Sequence, residues 1–312
     1  MKNKKVLILG SNGYVGSRLQ HEWNDKYELT LVDTCWFNKP TEHTIVTDIN
    51  NLSKSFVQSH DIVILLAGHS SVKMSEGKLI SAYTNNVTNF LNLIGKLSKN
   101  QKFIYASSSS VYGDVGENVV TENYYNFKPH NQYDITKHII DLYATRSDVE
   151  YYGLRFGTVC GYSPVMRNDV MINAMVSSGI ENGEIKLYIK DIMRPVLGIG
   201  DLCRAFEVII NSNKDNRGIY NLASFNMTAE EIAYSVSGVI KKPVKEYDVN
   251  PNNITNSKSQ TKCYNFSISS TKFCMKYKFK FKDNVESISK SILDNYNNIK
   301  TTKRDKVYDY SY

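Results

Sequence analysis

The chain has 312 residues, of which 41% are hydrophobic and 22% charged, with a formal net charge of +7. These are the values of an ordinary globular chain forming one large or two modest domains, and so mild a positive charge attracts anions without requiring nucleic acid. Cys35, Cys160, Cys203, Cys263 and Cys274 are widely spaced and include no C-x-x-C pair, which argues against a disulfide framework and against a zinc site, so no metal is expected. No run nears the ~18 apolar residues of a membrane span. The basic start Met1 to Lys5 precedes an apolar run too short for a signal sequence, so the expected location is the cytoplasm.

Val6 to Leu9 is a short apolar run, read as a strand buried on both faces. Gly10, Gly13 and Gly16 follow, and Tyr14 to Asn24 reads as a helix. Glycines so placed permit a tight turn, close approach of the backbone to a diphosphate, and a helix N-terminus aimed at that diphosphate. The next strand, Tyr27 to Val32, ends at Asp33, which lies 17 residues past Gly16. An acid about 20 residues on accepts from a ribose 2′-hydroxyl and repels a 2′-phosphate, which favours NAD over NADP. Further strands are expected at 44–46, 61–67, 102–106 and 150–156, with helices at 86–97 and 133–146. Alternation of this kind means a doubly wound parallel sheet with ligands at the carboxyl ends of its strands.

Beyond Gly161 the pattern loosens. Helices are read at 169–178 and 201–211 and short strands at 185–189 and 219–222. A polar loop is read at 250–262, a half-exposed strand or loop at 272–282, and a flexible tail from Thr301. The expected division is a dinucleotide-binding domain at 1–160, joined by later strands, and a smaller α/β substrate region at 161–300.

Tyr133 and Lys137 are one helical turn apart on one face. An ammonium favours the phenolate, and a phenol moved from about 10 toward 7 becomes a general base near neutrality. The same spacing also occurs on solvated helix faces, so its weight comes from the cofactor turn upstream. Ser108, at the end of the strand 102–106, offers a hydroxyl to hold a reacting oxygen beside Tyr133.

With these residues together, the chain resembles the extended short-chain dehydrogenases/reductases of the NAD-dependent nucleotide-sugar epimerase/dehydratase type. The resemblance rests on Gly-x-x-Gly-x-x-Gly at 10–16, Asp33, Asp48-Ile49, Leu66-Ala67-Gly68, Asn86-Val87, Ser108 with Val111-Tyr112-Gly113, Tyr133-x-x-x-Lys137 and Leu154-Arg155-Phe156. It implies that the backbone of Tyr14 and Val15 meets the diphosphate and that Asp33 takes the adenosine ribose. Asp48 and Ile49 would meet the adenine, and Leu66, Ala67, Gly68 and Asn86 would line the cofactor. Lys137 would bind the nicotinamide ribose and lower the phenol of Tyr133, while Ser108 and Tyr133 grip the sugar hydroxyl. Arg194, Arg167 and Asn173 would contact the substrate, with Arg194 meeting the nucleotide diphosphate. A homodimer packed through helices 86–97 and 133–146 is also implied.

Two departures narrow the reading. Family dehydratases carry Thr-Asp-Glu where this chain has Ser108-Ser109-Ser110, and serines neither protonate a leaving hydroxyl nor take an α-proton well. A 4,6-dehydratase is therefore disfavoured. Thr158 stands where many epimerases have Asn. The stretch Gly161-x-Ser163-Pro164-x-Met166-Arg167-x-Asp169 resembles one found in enzymes of bacterial surface sugars. The expected activity is epimerisation of a nucleotide sugar, most simply at C4. The alternatives are a C4 dehydrogenase or 4-keto reductase, and a catalytically silent NAD binder.

Overall fold

The computed structural model describes residues 4–213, 215–247, 265–298 and 300–301. The expected loop at 250–262 and the tail beyond 301 lie outside the described residues. Five strands from the first part of the chain are β1 (Lys5–Leu9), β2 (Glu28–Asp33), β3 (Thr44–Val46), β4 (Ile62–Leu65) and β5 (Lys102–Ser108). With the strands Glu150–Phe156 and Gly218–Leu222 they form one sheet, ordered Gly218–Leu222, Glu150–Phe156, β5, β4, β1, β2, β3. Every neighbouring pair in it is parallel.

β1 shows why the sheet is covered on both sides. Val6 and Ile8 point into a cluster with Trp23 and Phe206, whereas Leu7 and Leu9 join Phe90 and Phe103 on the opposite face. All four are fully buried, as the apolar run requires. The chain leaves β1 toward β2 on one side and returns to β4 on the other. That reversal opens a crevice at the carboxyl ends of β1 and β4.

The later chain forms a second core. The helices Met171–Asn182, Ala229–Ile240 and Val285–Asp294 pack together through Ile172, Val176, Ile232, Val236, Ile288 and Ile292. A three-stranded sheet, with Met193–Gly198 between Phe225–Thr228 and Thr158–Cys160, lies beside them. The helices at 229–240 and 285–294 are not in the sequence reading. Both begin with a capping box, Thr228 with Glu231 and Asn284 with Ser287, and the first of these is a legible start signal.

Two expectations are corrected. The alternating segment 272–282 is neither strand nor loop over its first half but the helix Thr271–Tyr277. Phe273 and Tyr277, one turn apart, pack in a tilted pair at 4.8 Å between ring centroids, and both pack edge-on against Tyr220. Its aromatic side belongs to the core. The helix expected at 86–97 is broken differently as well: it follows Leu79–Tyr83 through a wide π-turn, Thr84–Thr88, and ends as Asn89–Ile94.

Candidate active site

The crevice begins at the glycine turn. Gly10 has φ +92°, and a Cβ there would sit 2.5 Å from the Ala67 nitrogen. A Cβ on Gly16 would come within 2.3 Å of the Gly10 carbonyl oxygen. The chain's own packing therefore demands both glycines. Gly13 is different: its φ of −79° and ψ of 179° suit any residue, and a Cβ would meet only the Gly10 oxygen at 3.4 Å. The missing side chain at 13 leaves space on the crevice side, where a bound group can approach the backbone. The helix Tyr14–Trp23 starts at once, so the first-turn N–H groups of Tyr14, Val15 and Gly16, which have no intrahelical acceptor, face the same space. This is a cradle suited to a diphosphate.

Asp33 closes the far side. Its Oδ2 accepts from the Asn12 N–H at 2.8 Å and its Oδ1 from the Cys35 N–H at 2.6 Å. Burial raises its pKa and these backbone donors oppose the rise. Each oxygen retains a lone pair for a ribose hydroxyl. Asp48 and Ile49 line the crevice at a 3₁₀ turn, where Asp48 accepts from the Asn50 N–H at 2.8 Å. Leu66, Ala67 and Gly68 line it beyond β4, anchored by two N–H groups, of Leu66 and Ala67, donating to the Leu9 carbonyl.

Asn86 does not reach the crevice. Its Oδ1 accepts from the His69 N–H at 2.8 Å, and its Nδ2 donates to the His69 carbonyl and to Thr136 Oγ1. It is a buried brace between the Gly68 loop and the helix Gln132–Ala144, and Asn85 and Asn89 line the crevice in its stead.

Tyr133 stands in the first turn of Gln132–Ala144, a helix capped by Asn131, whose side chain accepts from the Asp134 N–H. Its side chain and that of Ser108 line the crevice together, and Ser108 acts to lower the phenol's pKa. Lys137 donates to the Ala106 carbonyl at 2.7 Å, and its nitrogen lies 5.8 Å from the Tyr133 ring centroid. The expectation that Lys137 lowers this phenol is corrected. Burial pushes Tyr133 up to about 12, with the Asp134 charge adding to the rise and Ser108 and the Arg167 charge working against it. Burial also pushes Lys137 down to about 8, so near neutrality it is a weaker cation than an exposed lysine.

Of the three expected substrate contacts, the structure brings only Arg167 to the crevice. Its guanidinium is held by Asp169 through two bonds, of 3.0 and 2.8 Å. Asn173 is fully buried and away from the crevice. It accepts from the Gly161 N–H and donates to the Tyr14 hydroxyl and the Arg167 carbonyl. Arg194 is not among the lining residues; its guanidinium lies 5.5 Å from the centre of the Phe266 ring, which does line the crevice. The sequence reading missed Trp36, Phe37, His69 and Phe266 as lining residues. Burial lowers His69 to about 4, so it is neutral at physiological pH. Trp36 lies three residues past the end of β2 and His69 four past the end of β4, and that position beyond strand carboxyl ends is the signal that could have found them. Ser109 donates to the Phe156 carbonyl at 2.8 Å and Ser110 to Asp134. Among the described residues, no cluster of His, Cys, Asp or Glu could hold a metal ion, and no helix is long and apolar enough to cross a membrane.

A glycine cradle, an acid at the end of β2 and a tyrosine–serine pair over one crevice are the parts of a dinucleotide-dependent site for hydroxyl or carbonyl chemistry. The chain belongs to the NAD dependent epimerase/dehydratase family, whose model matches residues 6–223. NAD is accordingly its cofactor, and the cradle fits that cofactor. Among curated proteins, the chain is 26% identical over 237 residues to Protein CapI of Staphylococcus aureus, covering 66% of this chain and 69% of that one. It is 26% identical over 262 residues to the UDP-glucose 4-epimerase of Mycoplasma genitalium, covering 72% and 76%. The fold matches the UDP-N-acetylglucosamine 4-epimerase of Methanobrevibacter ruminantium M1, solved in complex with UDP-N-acetylmuramic acid, with a TM-score of 0.80, 22% identity, and coverage of 95% of this chain and 100% of that one. It also matches the UDP-glucuronic acid 4-epimerase of Bacillus cereus, solved in complex with UDP-glucuronic acid and NAD, with a TM-score of 0.78, 20% identity, and coverage of 94% and 99%.

Proposed function

We propose that this protein epimerises a nucleotide-activated sugar, most simply a UDP-sugar, at C4. The observation that carries the reading is the Tyr133–Ser108 pair, which shares one crevice with the glycine cradle and Arg167. NAD, when bound, supplies the hydride acceptor. Tyr133 takes the proton of the sugar hydroxyl and returns it after the sugar has turned its other face, and Ser108 holds the reacting oxygen. Arg167, set by Asp169, supplies a cation for the anionic nucleotide. Gly13, Tyr14 and Val15 bind the cofactor diphosphate, Asp33 the ribose, and Lys137 the nicotinamide ribose. Several relatives bear the name UDP-glucose 4-epimerase. The hydroxyls of Ser109 and Ser110 are engaged within the protein, which fits epimerisation better than loss of water. We place the enzyme in the cytoplasm. We also infer a homodimer, supported by the exposed apolar side chains Leu79, Ile80, Tyr83, Ile135, Leu142 and Tyr143 on two neighbouring helices.

The test incubates the NAD-loaded protein with UDP-glucose, UDP-N-acetylglucosamine and UDP-glucuronic acid. The expected result is a C4 epimer without net NADH absorbance, lost in Tyr133→Phe by a factor of about 10³. Net NADH formation would replace the reading with a dehydrogenase. No turnover, with Tyr133→Phe indistinguishable from the parent, would remove it.

A further inference from the structure

A chain of asparagine side chains runs from the surface to the crevice beside the loop that follows β3. Its middle member, Asn50, is held at every polar group it has. The Asn50 N–H donates to Asp48 Oδ1 at 2.8 Å, and its carbonyl accepts from Lys96 Nζ at 2.8 Å. Its Oδ1 accepts from Asn92 Nδ2 at 3.0 Å, and its Nδ2 donates to Asn89 Oδ1 at 2.8 Å. Lys96 also donates to the Ile49 carbonyl, at 3.3 Å.

These bonds decide which end of the Asn89 amide is engaged. Asn50 presents its nitrogen, so Asn89 turns its oxygen toward Asn50. Asn89 lines the crevice and is only 5% exposed. Its Nδ2 carries two N–H donors. That nitrogen has no acceptor among the described residues, yet it is not sealed from solvent as the buried unpaired atoms of this protein are. A donor set so deep in a wall gains by meeting an acceptor on a bound group.

Its place along the crevice says which part of that group it meets. The diphosphate cradle follows β1, Asp33 ends β2, and the sheet runs β1, β2, β3 in space. A dinucleotide laid outward over those strand ends brings its base beside residues 48–50. Adenine offers ring nitrogens that accept hydrogen bonds. We propose that Asn89 reads the base, its Nδ2 donating to one ring nitrogen of the adenine of NAD in the orientation set by Asn50. The inference rests on the crevice holding NAD with its adenine beside Asp48 and Ile49.

The test is a cycle of two changes, read as Kd by calorimetry on the full chain freed of cofactor, without sugar or turnover. The parent and Asn89→Ala are each titrated with NAD and with three analogues in which N1, N3 or N7 of the adenine is replaced by C–H. In the parent, one analogue is expected to bind about tenfold more weakly than NAD, for one lost hydrogen bond. In Asn89→Ala, NAD itself is expected to be about tenfold weaker, and that same analogue to bind as well as NAD does. A loosened 48–51 loop would weaken all four ligands alike and leave the penalty in place. If every analogue keeps in Asn89→Ala the penalty it carries in the parent, the proposal is overturned, whatever happens to NAD. Asn89→Asp keeps an oxygen for Asn50 while removing the donor, and serves the same cycle where Asn89→Ala fails to fold. A parent that bound no NAD would remove the cofactor reading and this inference together. A parent that binds NAD, with the penalties intact in the variants, removes this inference alone.

Discussion

Lys137 donates to the Ala106 carbonyl, at 2.7 Å, and so is tied to the end of β5 while its nitrogen stands 5.8 Å from the centre of the Tyr133 ring. Its burial has a thermodynamic signature. Burial lowers Lys137 from the ordinary lysine value of 10.5 to about 8 in the folded protein. Between those values the unfolded chain binds more protons than the folded one, so this group's contribution to stability rises with pH across the window and is least favourable below it. Lys137→Met is expected to stabilise the cofactor-free protein at pH 7 by about 1–3 kcal/mol while abolishing turnover. Urea unfolding at pH 7 and pH 10 checks both the sign and the pH dependence.

Gly13 and Gly16 are expected to part company on mutation. Gly16→Ala drives a Cβ to 2.3 Å from the Gly10 oxygen, backbone against backbone, and should lower the melting temperature sharply. Gly13→Ala meets only the Gly10 oxygen at 3.4 Å and should fold like the parent. It should nonetheless weaken NAD binding by roughly tenfold or more, because its methyl enters the cradle. Thermal melts and NAD titration of the two variants separate these outcomes.

Asp33→Asn should fold, since an amide oxygen still accepts one of the two loop N–H groups now bound by the carboxylate. The loss of a charged acceptor for the ribose should weaken NAD by about 2 kcal/mol, roughly thirtyfold in Kd. Removing the charge should also narrow the preference for NAD over NADP. Parallel titrations with both dinucleotides test this.

Asn173→Ala tests whether that residue serves the substrate or the fold. Its amide joins Gly161, Tyr14 and Arg167 from inside the protein. Leaving such groups unpaired is expected to destabilise by about 2–3 kcal/mol. KM for the sugar should change little in whatever fraction remains folded. A large rise in KM without loss of stability would return Asn173 to the substrate.

The sequence makes the front of the chain legible because there one signal has one cause. A buried strand must be apolar on both faces, and a tight turn against β4 must be glycine at 10 and 16. Asn86 and Asn173 mislead for the opposite reason. Sequence names the amide but not the direction in which it points, and both point into the protein. The 272–282 segment misleads because residues 273 and 277 fit a strand's alternation and a helix's turn equally well. The Ser110–Asp134 bond spans 24 positions and two elements, so it becomes visible only once β5 and the tyrosine helix are side by side.

The first helix is fastened to a segment almost 150 residues away. The Tyr14 hydroxyl donates to the Gly161 carbonyl, while Ser163 donates to the Tyr14 carbonyl and shares a second contact with Ser17. Gly161 and Ser163 lead directly to Arg167. A shift of that arginine toward an incoming ligand would therefore pull on the glycine loop and the start of the first helix, which line the same crevice. The two ligands should sense each other's presence: occupancy by one alters the affinity for the other, by the same factor in both directions.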